Sequence, residues 1–281
     1  MQTKTKRIRW ERIAVHIAAW FAGLIWIIPF MGILMASIRP QKELIHGWWN
    51  LSEITISLDN FINAWSHPTA PIGQGIWNSL IVTIPATILP LIIASFAAYG
   101  LLRLRFPGRR IILVTIVLLL SIPQQMVAVP LFRTLLDLGI LNTFQGLIIT
   151  HTAWGLIWIT IFMRNYLTTL PEEVEEAASI DGANRFQIFF KIVFPLSLPG
   201  LASVAALQFT WVWNDFFMAL ITLYEPSMLV ATQRIPLLKG QYNVDWGVLS
   251  AASILVTAIP LLIFIVLQKY YVKGLIGWTS K

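Results

Sequence analysis

Six stretches of this chain stay apolar over 20 residues or more, and that length leaves few folds open to it. Residues 13–38, 76–102, 111–132, 144–163 and 247–267 contain no Asp, Glu, Lys or Arg, and residues 200–223 are interrupted only by Asp215. A helix of about 20 apolar residues crosses the hydrocarbon core of a bilayer. Every run reaches that length, so the expected fold class is all-α integral membrane, with six transmembrane helices. Six spans leave little of the 281 residues for anything else, and one membrane domain over 1–281 is the economical organisation. The charged share of 12% agrees, because a soluble domain carries roughly 25%.

An even number of spans puts both termini on one side, and Lys and Arg say which. Fifteen of the 20 basic residues fall on the side of the termini: Lys4, Lys6, Arg7, Arg9 and Arg12, then Arg103, Arg105, Arg109 and Arg110, then Arg164, Arg185 and Lys191, then Lys269, Lys273 and Lys281. Arg39, Lys42, Arg133, Arg234 and Lys239 fall on the other. Both termini are therefore expected in the cytoplasm. The net charge of +7 expresses this bias, and no nucleic-acid partner is expected. The first run has the basic flank of a signal peptide, but its 26 residues exceed an h-region of about 7–15. A retained anchor is the expectation.

The chain has no cysteine, which excludes disulfide and thiolate-metal chemistry. His16, His46, His67 and His151 are scattered along the chain, and apart from Glu43 before His46 none has an acid or histidine at metal-ligand helical spacing, so no metal is assigned. There is no G-x4-G-K-[S/T], and no Gly-Lys pair anywhere, so the cradle that holds nucleotide phosphates is absent. G-x-S-x-G and H-E-x-x-H are absent too, which argues against a membrane enzyme.

Between spans four and five, residues 168–199 break the apolar pattern. Glu172, Glu173, Glu175 and Glu176 supply four of the chain's 13 acidic residues. Thr169 with Glu172 three residues on resembles a capping box, and Pro171 sits where a first turn tolerates it. The carboxylates then face the positive end of the helix dipole. Gly182 offers a left-handed stop. Asn184 with Gln187 restarts a second helix carrying Phe186, Phe189, Phe190, Ile192 and Val193, which Pro195 can close. The reading is a cytoplasmic helix-turn-helix whose aromatic arm packs under the membrane domain or on a partner.

Glu176, Ala177, Ala178, Gly182, Ile192 and Pro195 spell E-A-A-x3-G-x9-I-x-x-P. This resembles the EAA loop of permease subunits of binding-protein-dependent ABC importers. Residues 97–110 (AAYGLLRLRFPGRR), 122–132, Leu138-Gly139-Ile140-Leu141-Asn142-Thr143 and Trp213-Asn214-Asp215-Phe216 are similar to the carbohydrate branch of that family, most closely the maltose-type second permease. The pattern differs at Asp215, where Glu is commoner, and in the tail GLIGWTSK. The resemblance implies that residues 168–199 form a coupling loop seated in a cleft of a separate ATPase. Glu176 would pair with a basic group there, Ala177 and Ala178 would permit close approach, and Gly182 would make the turn. It further implies a homologous second permease, two ATPase subunits that hold ATP and Mg, and an extracytoplasmic sugar-binding protein. No cofactor is implied in this chain, which would be a multi-pass protein of a prokaryotic plasma (inner) membrane. The substrate would be a sugar, an oligosaccharide or a related polyol.

Polar residues inside the spans have two readings each. Asp215, beside Asn214 within span five, is either a substrate-path or gating residue or a structural hydrogen-bonding group, since an acid in a span costs about 2.5–3.5 kcal/mol unless it finds a cavity or partner. Gln124 and Gln125 lie between Pro123 and Pro130, where a kink or local unwinding is expected. They either meet sugar hydroxyls or satisfy the backbone that Pro123 opens. His151 is either a proton-coupled group or a core histidine, and Trp154 and Trp158 are either a sugar platform or interhelical packing. Ile54-Thr55-Ile56-Ser57 has the alternation of a short extended piece, and the loops 39–75 and 224–246 offer a docking surface for a binding protein. The competing function is a secondary transporter or channel without an ATPase. A secondary transporter calls for internal repeats and a charged midplane site, and the chain has one such acid and no visible repeat.

Overall fold

Each long apolar run becomes helix, because in hydrocarbon a backbone must satisfy its own polar groups. A computed structural model describes residues 10–52, 54–240 and 244–279 of the protein. Lys4, Lys6, Arg7 and Arg9 of the basic N-terminal segment, and Ser280 and Lys281 of the tail, lie outside the described residues. The principal helices are α1 (Trp10–Ser37), α2 (Ile72–Arg103), α3 (Arg109–Leu119), α4 (Ala128–Asp137), α5 (Phe144–Leu167), α6 (Glu173–Ile180), α7 (Arg185–Asn214), α8 (Phe217–Thr222) and α9 (Trp246–Thr279). Five of them, α1, α2, α5, α7 and α9, are long and apolar enough to cross a membrane, and the α3–α4 pair makes a sixth span if counted as one. Among the described residues no strand forms. Residues 54–57 instead run irregularly, tied back by the Thr55 amide to the Glu43 carboxylate and by the Ser57 amide to the Ile38 carbonyl.

Run three is not a single straight helix. The chain turns through 100° between α3 and the Gln124–Asp137 segment. Pro123 adopts an extended conformation and a 3-10 turn, Gln124–Val127, follows it. Pro130 falls in the first turn of α4, where its missing N–H has no partner to lose. The unwinding therefore happens at one of the two prolines.

Run five also departs from expectation, at both ends. Pro195 does not close the second arm of the hairpin. The chain stays helical from Arg185 through a π-type stretch, Phe189–Val193, and on to Asn214. A wider i→i+5 turn just before a proline relieves the clash that the ring makes with the preceding turn. At the other end the helix stops at Asn214, Asp215 is extended, and α8 restarts at Phe217. Asp215 thus sits at a helix break rather than within a helix.

The bundle is built around α2, which packs against α5 and α7. Lipid gives apolar faces no hydrophobic reason to associate, so membrane helices meet where small residues let backbones approach. Ala86, Ala94 and Ala98 of α2 are fully buried. Gly155 of α5 is a point of closest approach, since a Cβ there would lie 2.7 Å from Gln208 Nε2 and 3.0 Å from Pro90. Gln208 answers that contact by donating to the Ala86 carbonyl at 3.1 Å and accepting from the Trp158 indole at 3.0 Å. α1 packs along α9 and leaves most of its apolar side chains open to the surroundings.

At the end of the bundle away from α6, loops are pinned by buried polar groups. The Asn60 amide donates to the carbonyls of Ser37 and Arg39 at 3.0 and 2.8 Å, covering the C-terminal end of α1. Arg39 and Glu43 form a buried pair at 3.0 Å. Hydrogen bonds from Thr55, with the Arg39 guanidinium beside it, hold the Glu43 carboxyl below its ordinary range. Arg234 is buried as well, donating to the Pro226 carbonyl at 2.7 Å and to Gln74 Oε1 at 3.1 Å.

Candidate functional site

Two regions collect the residues singled out in the sequence, one at each end of α7. The first is the hairpin formed by α6 and the start of α7. Gly182 makes its turn with φ +84, a conformation that disfavours any residue with a Cβ. Asn184 and Gln187 form the capping box expected of them, with reciprocal bonds of 3.0 and 2.8 Å. Thr169 does not cap α6. Its hydroxyl turns back to the Tyr166 carbonyl at 2.7 Å, because Thr168 and Thr169 complete the end of α5 instead.

The four glutamates have different surroundings. Glu175 is buried, and its Oε1 lies 2.8 Å from Arg103 Nη2 and 3.0 Å from Arg103 Nε. Glu172 reaches the same guanidinium at 3.3 Å from an exposed position. Glu173 and Glu176 face outward, with Ala177 exposed beside Glu176 and Ala178 half-buried. Ile180 and Phe186 are exposed on either side of the turn. On the other arm Phe189 is buried, stacked on Phe96 at 4.6 Å and tilted against Tyr99 at 5.2 Å. Ile192 is half-buried and Pro195 exposed. One face of the hairpin is thus anchored to α2 and the other is open. The pairing of Arg103 with Glu175 is not legible in the sequence. Arg103 reads there as one of the orienting charges, and no local pattern links positions 72 residues apart.

The second region is a groove of about 770 Å³. It brings Gln124 and Gln125, from the break before α4, together with Asn214 and Asp215, from the break after α7, although the two pairs are far apart in sequence. Trp158, Trp211 and Phe216 supply aromatic faces, with the Trp158 and Trp211 rings 6.1 Å apart. Among the described residues, the side-chain amides of Gln124, Gln125 and Asn214 make no hydrogen bond. Asp215 is different. Its Oδ2 accepts the amides of Met218 and Ala219 at 2.9 and 3.1 Å, capping α8, and lies 3.6 Å from His151 Nε2. Its carbonyl accepts the Thr232 hydroxyl at 2.8 Å. Asp215 makes the hydrogen bonds of the structural reading and at the same time stands on the wall of the groove. Trp154 and Trp158 part company: Trp154 packs on the cluster around Leu147 and Met218, while Trp158 lines the groove.

A bundle with an anchored hairpin at one end of α7 and an open polar groove at the other can now be compared with known proteins. Residues 90–277 match the family described as the inner membrane component of binding-protein-dependent transport systems. A probable ABC transporter permease protein of Pyrococcus horikoshii is 58% identical over 264 residues, 94% of this chain and 96% of that protein. The chain belongs to this permease family. The trehalose/maltose transport system permease protein MalG of Thermococcus litoralis is 33% identical over 276 residues, 96% of this chain and 97% of that protein. In fold, the chain superimposes with a TM-score of 0.81 on a subunit of a bacterial ABC transporter that imports alginate, at 23% identity, covering 96% of this chain and all of that one. A permease of this family is a multi-pass inner-membrane subunit that forms the translocation path. It is not an enzyme; it works with ATPase subunits that hydrolyse ATP and with a substrate-binding protein.

Proposed function

We propose that this chain is one half of a sugar-importing path, carrying a sugar, an oligosaccharide or a related polyol, and that a homologous second permease closes the groove. The hairpin end of the bundle faces the cytoplasm, as do both termini. There the open face of the hairpin, with Glu176, Ala177, Ala178 and the Gly182 turn, seats in a cleft of one of two ATPase subunits, which hold ATP and Mg; no cofactor is held by this chain. Ile192 and Pro195 lie in the arm that runs on into the membrane. At the far end, the loops 39–75 and 224–246 receive the extracytoplasmic sugar-binding protein.

One observation carries this reading: the second arm of the hairpin and span five are a single helix of 30 residues, Arg185–Asn214. At about 1.5 Å per residue it extends roughly 45 Å. A displacement imposed on the hairpin is therefore carried toward Asn214 and the groove along one continuous helix, through the π-type stretch at its start. The groove suits an uncharged polyhydroxylated solute, with the unoccupied amides of Gln124, Gln125 and Asn214 as hydroxyl partners and Trp158 and Trp211 as stacking faces. The sugar transport of the Thermococcus litoralis relative agrees with that chemistry.

The test is the importer reconstituted with its partner subunits in proteoliposomes, with uptake and ATPase activity measured together. Glu176→Lys and Gly182→Pro are expected to insert normally and to lose substrate-stimulated uptake, through weaker ATPase association or uncoupled hydrolysis. Normal stimulated transport in both would overturn the assignment of the hairpin.

A further inference from the structure

We propose that the end of the bundle opposite the hairpin holds an anionic phospholipid of the surrounding membrane, its acyl chains in a wedge between α1 and α9 and its phosphate against Lys42 and His46. Two adjoining cavities carry this. The first is an apolar wedge of about 810 Å³ between the ends of α1 and α9, bounded by Gly32 and Ile33 on one side and Leu249 and Ser253 on the other. The Ser253 hydroxyl is turned into its own helix, donating to the Leu249 carbonyl at 2.8 Å, so it offers the wedge little polarity. Trp48 closes the top. A Cβ at Gly32 would meet its indole at 3.2 Å, and the glycine lets the ring approach α1 closely. Trp49 and Trp246 stand exposed at the rim. Tryptophans hold the headgroup level of a bilayer, so the wedge lies just below that level, beside a helix whose flank is open.

The second cavity, of about 390 Å³, is polar, and His46 lines both. Its other walls are Arg39, Lys42, Glu43, Asn50 and Ser52. Arg39 and Glu43 neutralise one another in their 3.0 Å pair, and among the described residues that line the cavity the exposed Lys42 ammonium is the further charge. An apolar wedge that passes at tryptophan level into a polar pocket whose described lining is net positive matches an amphiphile with a negative head. A transmembrane helix from a partner would fill the wedge but leave the polar pocket facing an apolar surface. A binding-protein loop would fill the pocket but not the wedge.

The whole importer with its partner subunits, delipidated in mild detergent, is titrated with phosphatidylglycerol or phosphatidylcholine and read by native mass spectrometry. One phosphatidylglycerol per copy of this chain is expected, retained in preference to phosphatidylcholine. Lys42→Glu should cut that preference by about tenfold, the scale of reversing one basic residue at a membrane surface. Ser253→Trp should displace both lipids, and Ile33→Trp replaces it if that variant does not assemble. Equal retention of the two lipids with Lys42→Glu neutral would overturn the headgroup assignment. Unchanged retention in the wedge variant, or protection of residues 44–49 from hydrogen exchange that follows a protein partner rather than lipid, would overturn the site.

Discussion

Replacing Arg103 by Leu should release the hairpin from the bundle while leaving the spans in place. The guanidinium meets the carboxylate of Glu175 through two nitrogens at 2.8 and 3.0 Å, and both side chains are more than nine-tenths buried. Removing one member of such a pair leaves a buried charge without compensation, at a cost of about 3–5 kcal/mol. The contact with Glu172 adds little, because that side chain is 63% exposed, and an exposed ion pair contributes about 0–1 kcal/mol. Arg105, Arg109 and Arg110 remain beside the site to hold the orientation. At about 1.36 kcal/mol per decade, amide hydrogen exchange in residues 173–183 of the reconstituted complex should accelerate roughly 10²- to 10⁴-fold. Exchange in α2 and α5 should change far less. The double variant Arg103→Leu, Glu175→Leu should recover most of the loss, since two apolar side chains leave no orphaned charge. A single variant whose hairpin exchange moves less than threefold would refute this reasoning. So would a double variant that is worse than both singles.

Three further outcomes follow from the groove and its supports. Asp215→Leu removes the cap of α8 and orphans the Met218 and Ala219 amides, at about 1–3 kcal/mol for each buried donor; thermal unfolding in detergent should show the loss, whereas Asp215→Asn should keep an acceptor and most of the stability, with assembly affected before selectivity. Gly155→Val drives a side chain into Gln208 and Pro90 and should cost about 1–3 kcal/mol by overpacking, seen as a lower melting temperature with α2 and α5 loosened in hydrogen exchange. Because the chain has no cysteine, Gln125→Cys and Asn214→Cys each give it a single thiol, whose labelling in the assembled importer is read on this subunit after the subunits are separated; saturating substrate should slow both, with buried Val204→Cys unreactive, and labelling rates indifferent to substrate would remove these positions from the path.

Local physics makes much of this protein legible from its amino acids alone. A bilayer demands uninterrupted apolar length, and run length is a property of consecutive residues, so the helical spans can be counted along the chain. The Gly182 turn and the Asn184–Gln187 box are equally readable, since each is settled within four residues. The proline break can be located to a segment, but choosing Pro123 over Pro130 depends on where the next helix begins, which places Pro130 harmlessly in a first turn. What composition and spacing do not decide are matters of partnership in space. Pro195 reads as a stop, yet the π-type stretch before it and the stacking of Phe189 on Phe96 and Tyr99 keep the helix running. Asp215 reads as a charge inside a span until the break beside it supplies two amides to cap. Glu175 looks like its three neighbours, and only the packing of α6 on the end of α2 separates it from Glu176 by burying it against Arg103. The groove joins Gln124 and Gln125 to Asn214 and Asp215 for the same reason. Backbone hydrogen bonds and bilayer length act between near neighbours in the chain, whereas burial and pairing of charge act between whatever residues the packed helices bring together.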